Sequence, residues 1–275
     1  MMAECKVCPH GCRLKEGQLG FCGGRICREG KVICENYGRI TSIALDPIEK
    51  KPLYHYYPSS KILSVGSYGC NLRCPFCQNC EISMAKEKDI GYVEISCGEL
   101  VEKACELKSR GNIGIAYTYN EPLIGYEFVR DCAGLAKKRG LKNVVVTNGY
   151  ICEEPLRELL EVVDAFNIDL KGFTQEFYKK LRGDLDTVKN TIKIASGHCH
   201  VEVTTLIVPG ENDSEDEIFA LSKWLASIRP DIPLHITRFF PRWKMADREP
   251  TPVKTVYRLA DIARRNLKHV YEGNC

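Results

Sequence analysis

Residues 64–80 read SVGSYGCNLRCPFCQNC, and they place four cysteines within eleven residues, directly after an apolar run. Thiols so crowded form a metal site, a disulfide cluster or a redox pair. Three of them, Cys70-x3-Cys74-x2-Cys77, fall on one tight loop behind a buried strand. A [4Fe–4S] cube usually takes four cysteine ligands. Three ligands leave one iron without a protein bond, the counterpart of the open position in catalytic zinc. A zinc knuckle more often takes two separated ligand pairs, and no later His pair stands at the usual spacing.

The rest of the chain sets the context. It has 275 residues, 44% hydrophobic and 27% charged, with a formal net charge of +3. That suits a globular protein with a real core. So small a net charge gives no global basic field for nucleic acid or an anionic membrane. The start, MMAECKVCPH, lacks an apolar signal region, and no apolar run approaches the roughly 18 residues of a membrane span. The expected location is the cytoplasm, where thiols stay reduced, so sixteen cysteines point to metal or iron–sulfur ligation before a disulfide framework. Cys105 and Cys132 fall on apolar helix positions and read as small core residues.

From residue 62 onward strands and helices alternate. KILSVGS, IGIAYTY, NVVVTN, AFNIDLK, CHVEVTTLIV and LHITRFF read as six strands. Between them lie helical stretches such as 96–111, with Ser96 and Glu99 as a capping box, and 122–140, with Tyr126, Val129, Ala133 and Ala136 on one face. Ser214 and Glu217 make a second capping box. A last helix is expected over 252–267. This alternation predicts an α/β fold with parallel strands joined by right-handed crossovers. Asn167, Asp169 and Lys171 share one face of a strand, and Glu202 with Thr204 one face of the next. A sheet buried on both faces reads as continuous Val, Ile and Leu. The polar face therefore predicts a barrel-like sheet whose interior holds a polar ligand, with chemistry at the C-terminal strand ends.

Residues 1–61 differ in kind and read as a small Cys-rich extension, the main domain covering 62–275. Cys5-x2-Cys8-x3-Cys12-x9-Cys22 puts four thiols at short spacing. They suit a second iron–sulfur cluster or a structural zinc equally, with metal-free thiols as the remaining reading. Basic and aromatic residues mix in PRWKMADR and KKPLYHYYP, as they do in stacking platforms, but also on ordinary solvated faces.

Cys70-x3-Cys74-x2-Cys77, with Phe76 just before the third cysteine, resembles the signature of the radical S-adenosylmethionine superfamily. Asp169-Leu170-Lys171 is similar to the Asp-x-Lys element of its pyruvate formate-lyase activating enzyme branch. The string DPIEKKPLYHYYP…GCNLRCPFCQNCEIS…TYNEP…TNGY…DLK…HITRFFP looks like the radical enzymes of the AmmeMemoRadiSam system. The resemblance covers residues 62–272 and implies a partial (β/α)6 TIM-like barrel. It implies that Cys70, Cys74 and Cys77 hold a [4Fe–4S] cluster and that Asn120 and Glu121 hold the methionine ammonium of S-adenosylmethionine. The neighbouring strand ends, Thr147-Asn148, Asp169, Lys171 and Val208-Pro209, would supply further cofactor contacts. Reductive cleavage would then give a 5′-deoxyadenosyl radical that abstracts hydrogen from a substrate. A protein substrate, as for glycyl-radical activating enzymes, is the first reading; a small molecule or RNA is the second; a metal-binding module without catalysis is the third. The chemistry implies a low-potential electron donor such as ferredoxin or flavodoxin; no membrane partner is expected, and nucleic acid is expected only under the second reading. Two departures stand out. Cys80 stands where the family has Trp, so the loop also reads Cys74-x2-Cys77-x2-Cys80. The activating enzymes' His on the last strand has no match in ITRFFPRWK.

Overall fold

The computed structural model describes residues 2–275. Two small hairpins open it: β1 (Met2–Glu4) with β2 (Arg13–Lys15), and β3 (Arg25–Arg28) with β4 (Lys31–Cys34). After β5 (Arg39–Ile40) comes β6 (Ser42–Pro47), followed by β7 (Lys61–Gly66), α1 (Cys80–Ser83), β8 (Val93–Glu94) and α2 (Cys97–Glu106). The regular alternation is then β9 (Asn112–Tyr117), α3 (Tyr126–Lys138), β10 (Lys142–Thr147), α4 (Glu153–Leu160) and β11 (Ala165–Asp169). It continues through α5 (Gln175–Lys180), α6 (Leu185–Ser196), β12 (His200–Ile207), α7 (Glu215–Ile228), β13 (Leu234–Arg238), α8 (Val253–Arg264) and β14 (Val270–Gly273).

One eight-stranded sheet carries the site, in the order β14-β13-β12-β11-β10-β9-β7-β6. Every neighbouring pair is parallel except β6 with β7. The six anticipated strands are all present, in a partial barrel. The sheet gains two members beyond them: the short parallel β14 and the antiparallel edge β6, which precedes residue 62. Among the described residues no helix is long and apolar enough to cross a membrane.

Alternation along each strand sorts the two faces. Leu63, Val65, Ile115, Tyr117, Val145, Phe166, Ile168, Val201, Val203, Leu234 and Ile236 join the helices in the main core. The opposite set, Ile62, Ala116, Val144 and Ala165, forms a second core with Ile48 and Leu53. Both Ile48 and Leu53 are fully buried. The link between β6 and β7 thus plugs the barrel from the N-terminal strand ends.

The plug corrects one expectation about the polar face. Asn167 Nδ2 donates to Pro52 C=O at 2.8 Å, and Thr204 Oγ1 donates to Asn167 Oδ1 at 3.0 Å. The Glu202 carboxylate accepts from the backbone N–H of Tyr54 (3.0 Å) and His55 (2.7 Å). These groups satisfy backbone of the chain's own plug, which buried amides require. Only Asp169 and Lys171, further along toward the C-terminal ends, remain turned to a cavity.

The capping signals divide. Ser96 and Glu99 form the reciprocal box at α2. At α7 Ser214 caps the Glu217 N–H, but the Glu217 carboxylate turns away and accepts from Phe173 N–H at 2.6 Å. A half-buried acid takes the nearest unsatisfied backbone donor, here one from the loop after β11.

Candidate functional site

β7 ends at Gly66, and the chain turns through Ser67, Tyr68 and Gly69 into Cys70. The side chain of Asn120, after β9, holds that turn. Its Oδ1 accepts from Ser67 N–H at 2.9 Å, and its Nδ2 donates to the carbonyls of Tyr68 and Gly69, both at 3.1 Å. Asn120 therefore positions the loop while its side chain also lines the cavity. Gly69 has φ +88°, and a Cβ there would meet the Cys22 carbonyl oxygen at 2.5 Å, so only glycine allows this approach.

Cys70, Cys74 and Cys77 line one cavity of about 240 Å³ with Asn120, Glu121, Thr147, Asn148, Asp169 and Lys171. The loops after β7 and β9 and the last residues of β10 and β11 with the loops that follow supply them all, at the C-terminal ends of the strands. Cys80 lies outside this lining and begins α1. Val208 and Pro209 are not part of this lining either. Asn212 Oδ1 accepts the Val208 N–H at 2.7 Å, and the turn closes over a fully buried Val208. Leu206 is the β12 residue that lines the space.

Burial dominates the electrostatics. It pushes the Cys74 thiol up to about 12 and raises Cys70 and Cys77 as well. Lys171 answers them. Burial works against its ammonium, but Asp169, whose Oδ2 is 2.7 Å from Nζ, and the nearby Cys74 and Cys77 hold it above the usual lysine range. An ion pair between Asp169 and Lys171 and a shared place on the cavity wall are thus both present.

Glu121 is buried, and burial pushes its carboxyl up to about 7. Its partners are neutral donors: Asn148 N–H at 2.8 Å, the Thr147 hydroxyl at 2.6 Å and Leu123 N–H at 3.0 Å. The carboxylate has about four acceptor positions, so one remains. An ammonium delivered through the cavity would provide the missing counter-charge. Three soft thiol donors on one wall, suited to iron–sulfur ligation, and a buried carboxylate lacking a cation on another fit a cluster with a zwitterionic amino-acid cofactor.

Sequence reasoning passed over Tyr119. Its φ is +70°, a conformation non-glycine residues rarely adopt. Its hydroxyl donates to Asp46 Oδ2 at 2.6 Å, its ring lies 4.7 Å from Lys51 Nζ, and its carbonyl accepts from Asn79 Nδ2 at 2.7 Å. Asp46 and Lys51 are paired at 2.8 Å in the plug segment.

The N-terminal cysteines gather beside the same loop. Cys5 N–H donates to Cys12 C=O at 2.9 Å; Cys8 and Cys22 are buried, and burial raises their thiols to about 12 and about 11. Among the described residues no three Cys, His, Asp or Glu side chains are drawn tightly enough to share a single metal ion. A cube gives each thiolate its own iron and accepts a wider set than one ion does.

Comparison with known proteins follows the same lines. The family model described as the Radical SAM superfamily matches residues 64–221. An uncharacterized protein of Methanocaldococcus jannaschii is 42% identical over 275 residues, covering 98% of this chain and 81% of its own length. The pyruvate formate-lyase 1-activating enzyme of Escherichia coli is 28% identical over 160 residues, which span 57% of this chain and 65% of that enzyme. Among solved structures, Streptococcus suis SuiB bound to S-adenosylmethionine superposes with a TM-score of 0.61 at 13% identity, over 78% of this chain and 52% of that one, a likeness of fold.

Proposed function

The chain belongs to the radical SAM superfamily, whose members use a [4Fe–4S] cluster and S-adenosylmethionine, and we propose that it modifies a protein substrate in the manner of glycyl-radical activating enzymes. One observation carries the reading: three cysteine thiols and the cation-free carboxylate of Glu121 face each other across one cavity at the C-terminal strand ends. When bound, cluster and cofactor supply reductive C–S cleavage and hydrogen-atom abstraction.

Each residue then has a definite task. Cys70, Cys74 and Cys77 would hold the cluster, three thiolates leaving it open to the cofactor. Glu121 accepts from the ammonium, held in place by Thr147 and the Asn148 N–H. Lys171 lies against the thiolates and balances their charge, while Asp169 orients Lys171. Phe76, packed parallel to Phe177 with centroids 6.2 Å apart, lines the same cavity between Cys74 and Cys77 and gives it an apolar wall. The likeness to named activating enzymes supports a protein as substrate.

The anaerobically reconstituted protein, given S-adenosylmethionine and a reductant, should release 5′-deoxyadenosine. With a cell extract whose proteins carry deuterium at the glycine α-carbons, the label should pass from a protein into 5′-deoxyadenosine and leave on that protein a glycyl radical visible by electron spin resonance. No 5′-deoxyadenosine refutes the cavity reading. Label that reaches 5′-deoxyadenosine only from a small molecule or from RNA refutes only the protein substrate.

A further inference from the structure

The four N-terminal cysteines form a group of their own. β1 and β2 pair Glu4 with Arg13, and the next step along the hairpin sets Cys5 beside Cys12. The loop between them turns at Cys8, whose carbonyl accepts from Gly11 N–H at 3.2 Å. Cys22 comes back to the group before β3. Cys8 lies within charge range of Cys5 and Cys22, and Cys22 within range of Cys5 and Cys12. Three other cysteines stand nearby: Cys34 Sγ donates to Asn36 Oδ1, Cys27 is a fully buried residue of β3, and Cys152, whose N–H donates to the Val7 C=O at 2.9 Å, begins the turn into α4 and falls outside the short Cys5–Cys22 spacing.

A cation attends the group. Arg25 is 5% exposed, and its guanidinium lies near Cys5, Cys22 and Cys34. Its two Nη atoms serve Glu127 and the Ile124 carbonyl. Its Nε hydrogen is buried with no partner among the described residues. An orphaned buried donor costs about 1–3 kcal/mol, and more when charged. Thiolates and sulfides bound to iron are acceptors that would relieve it.

The group also abuts the barrel loop. Cys70 N–H donates to Cys22 C=O at 3.1 Å, at the point where Gly69 permits close approach. Arg73, inside the Cys70–Cys77 loop, hydrogen-bonds the Phe21 carbonyl and stacks on the Phe21 ring at 3.9 Å. His10 Nε2 lies 2.8 Å from the Asn71 carbonyl oxygen. One hydrogen bond therefore separates a cysteine of each group along the backbone.

We propose that Cys5, Cys8, Cys12 and Cys22 hold a second [4Fe–4S] cluster, which relays single electrons to the cluster on Cys70, Cys74 and Cys77 across the Cys22 C=O···H–N Cys70 contact. The proposal rests on the reading of the barrel site given above. An external low-potential one-electron donor is oxidised by one electron. The N-terminal cluster is reduced by that electron and reoxidised as the barrel cluster gains it. No bond forms or breaks, and no proton moves.

Iron and zinc analysis with electron spin resonance on the full, anaerobically reconstituted chain tests this. The wild type should hold about eight irons per chain; a Cys70→Ala/Cys74→Ala/Cys77→Ala variant should keep about four, with a reduced signal that ignores S-adenosylmethionine. A Cys5→Ala/Cys8→Ala variant should keep the signal that responds to it. On mixing the wild type with reduced flavodoxin and freezing rapidly, the unresponsive signal should rise first and the responsive one after it. The Cys5→Ala/Cys8→Ala variant should lose the fast phase of the responsive signal. A triple variant without iron, or with about one zinc per chain, overturns the second cluster and leaves the barrel reading standing. A wild type with no signal responsive to S-adenosylmethionine overturns the barrel reading instead. A responsive signal that rises first in the wild type, or a fast phase unchanged in the Cys5→Ala/Cys8→Ala variant, overturns the relay.

Discussion

Glu121 shows how burial turns a carboxylate toward a particular ligand. Its folded environment raises its affinity for a proton to about 7, because neutral donors only partly replace water. Ammonium binding needs the ionised form. The affinity for S-adenosylmethionine should therefore weaken as pH falls below about 7, and calorimetric titration of the reconstituted protein would show it. In Glu121→Gln that pH dependence should vanish, and the dissociation constant should rise at least about tenfold, since hydrogen bonds to charged groups are worth roughly 1.5–3 kcal/mol. Wild-type affinity that stays flat through neutral pH would contradict the assignment. Cys74→Ser is a sharper cut: it should abolish 5′-deoxyadenosine formation while near-native circular dichroism persists, and unchanged turnover would dismiss Cys74 as a ligand. The cysteines and Glu121 were legible because their chemistry needs residue types at fixed spacing within one loop or at one strand end. Tyr119 was not, because its partners Asp46 and Lys51 lie in a distant stretch of the chain and no local spacing records the meeting.

At the scale of elements, the plug between β6 and β7 does what a bottom layer of barrel side chains would otherwise do. Ile48 and Leu53 have no exposure and pack on Ile62, Ala116, Val144 and Ala165, which are too small to fill the interior unaided. Leu53→Ala should cost about 2–5 kcal/mol, read as a lower urea midpoint at unchanged slope. A loss under about 0.5 kcal/mol, typical of exposed sites, would mean that the plug does not support the barrel. The strands themselves were readable from alternation and flanking turns. The plug was not, since DPIEKKPLYHYYP carries two isolated apolar residues and no period. β14 escaped for a related reason: four residues, VYEG, are too few to show a pattern. The α7 cap illustrates the opposite error, where a correct local motif lost one partner to a tertiary contact. Ser214 kept its role, and Glu217 found Phe173.

For the whole molecule, Glu202 is the latch that ties the plug to the far strands. It is fully buried on β12, and it joins His235 of β13 (2.6 Å) and His200 (2.9 Å) to the backbone of Tyr54 and His55. His55 in turn meets Tyr271 of β14 at 2.5 Å. Plug and the last two parallel strands, β13 and β14, therefore converge on one carboxylate. Burial alone would raise its proton affinity, but the two histidines and two backbone N–H groups pull it net down, from 4.5 to about 2. A depressed carboxylate stabilises the fold above the unfolded value and loses that contribution as pH drops toward the folded one. The window is thus about 4.5 down to about 2, and the full contribution is on the order of 3 kcal/mol. Urea unfolding at neutral pH and near pH 3 should show the wild type losing on the order of 2 kcal/mol more than Glu202→Gln over that interval. Equal losses in the two proteins would mean that the carboxylate is as free in the folded chain as in the unfolded one, and that the barrel is closed at its base by the apolar contacts of Ile48 and Leu53 alone.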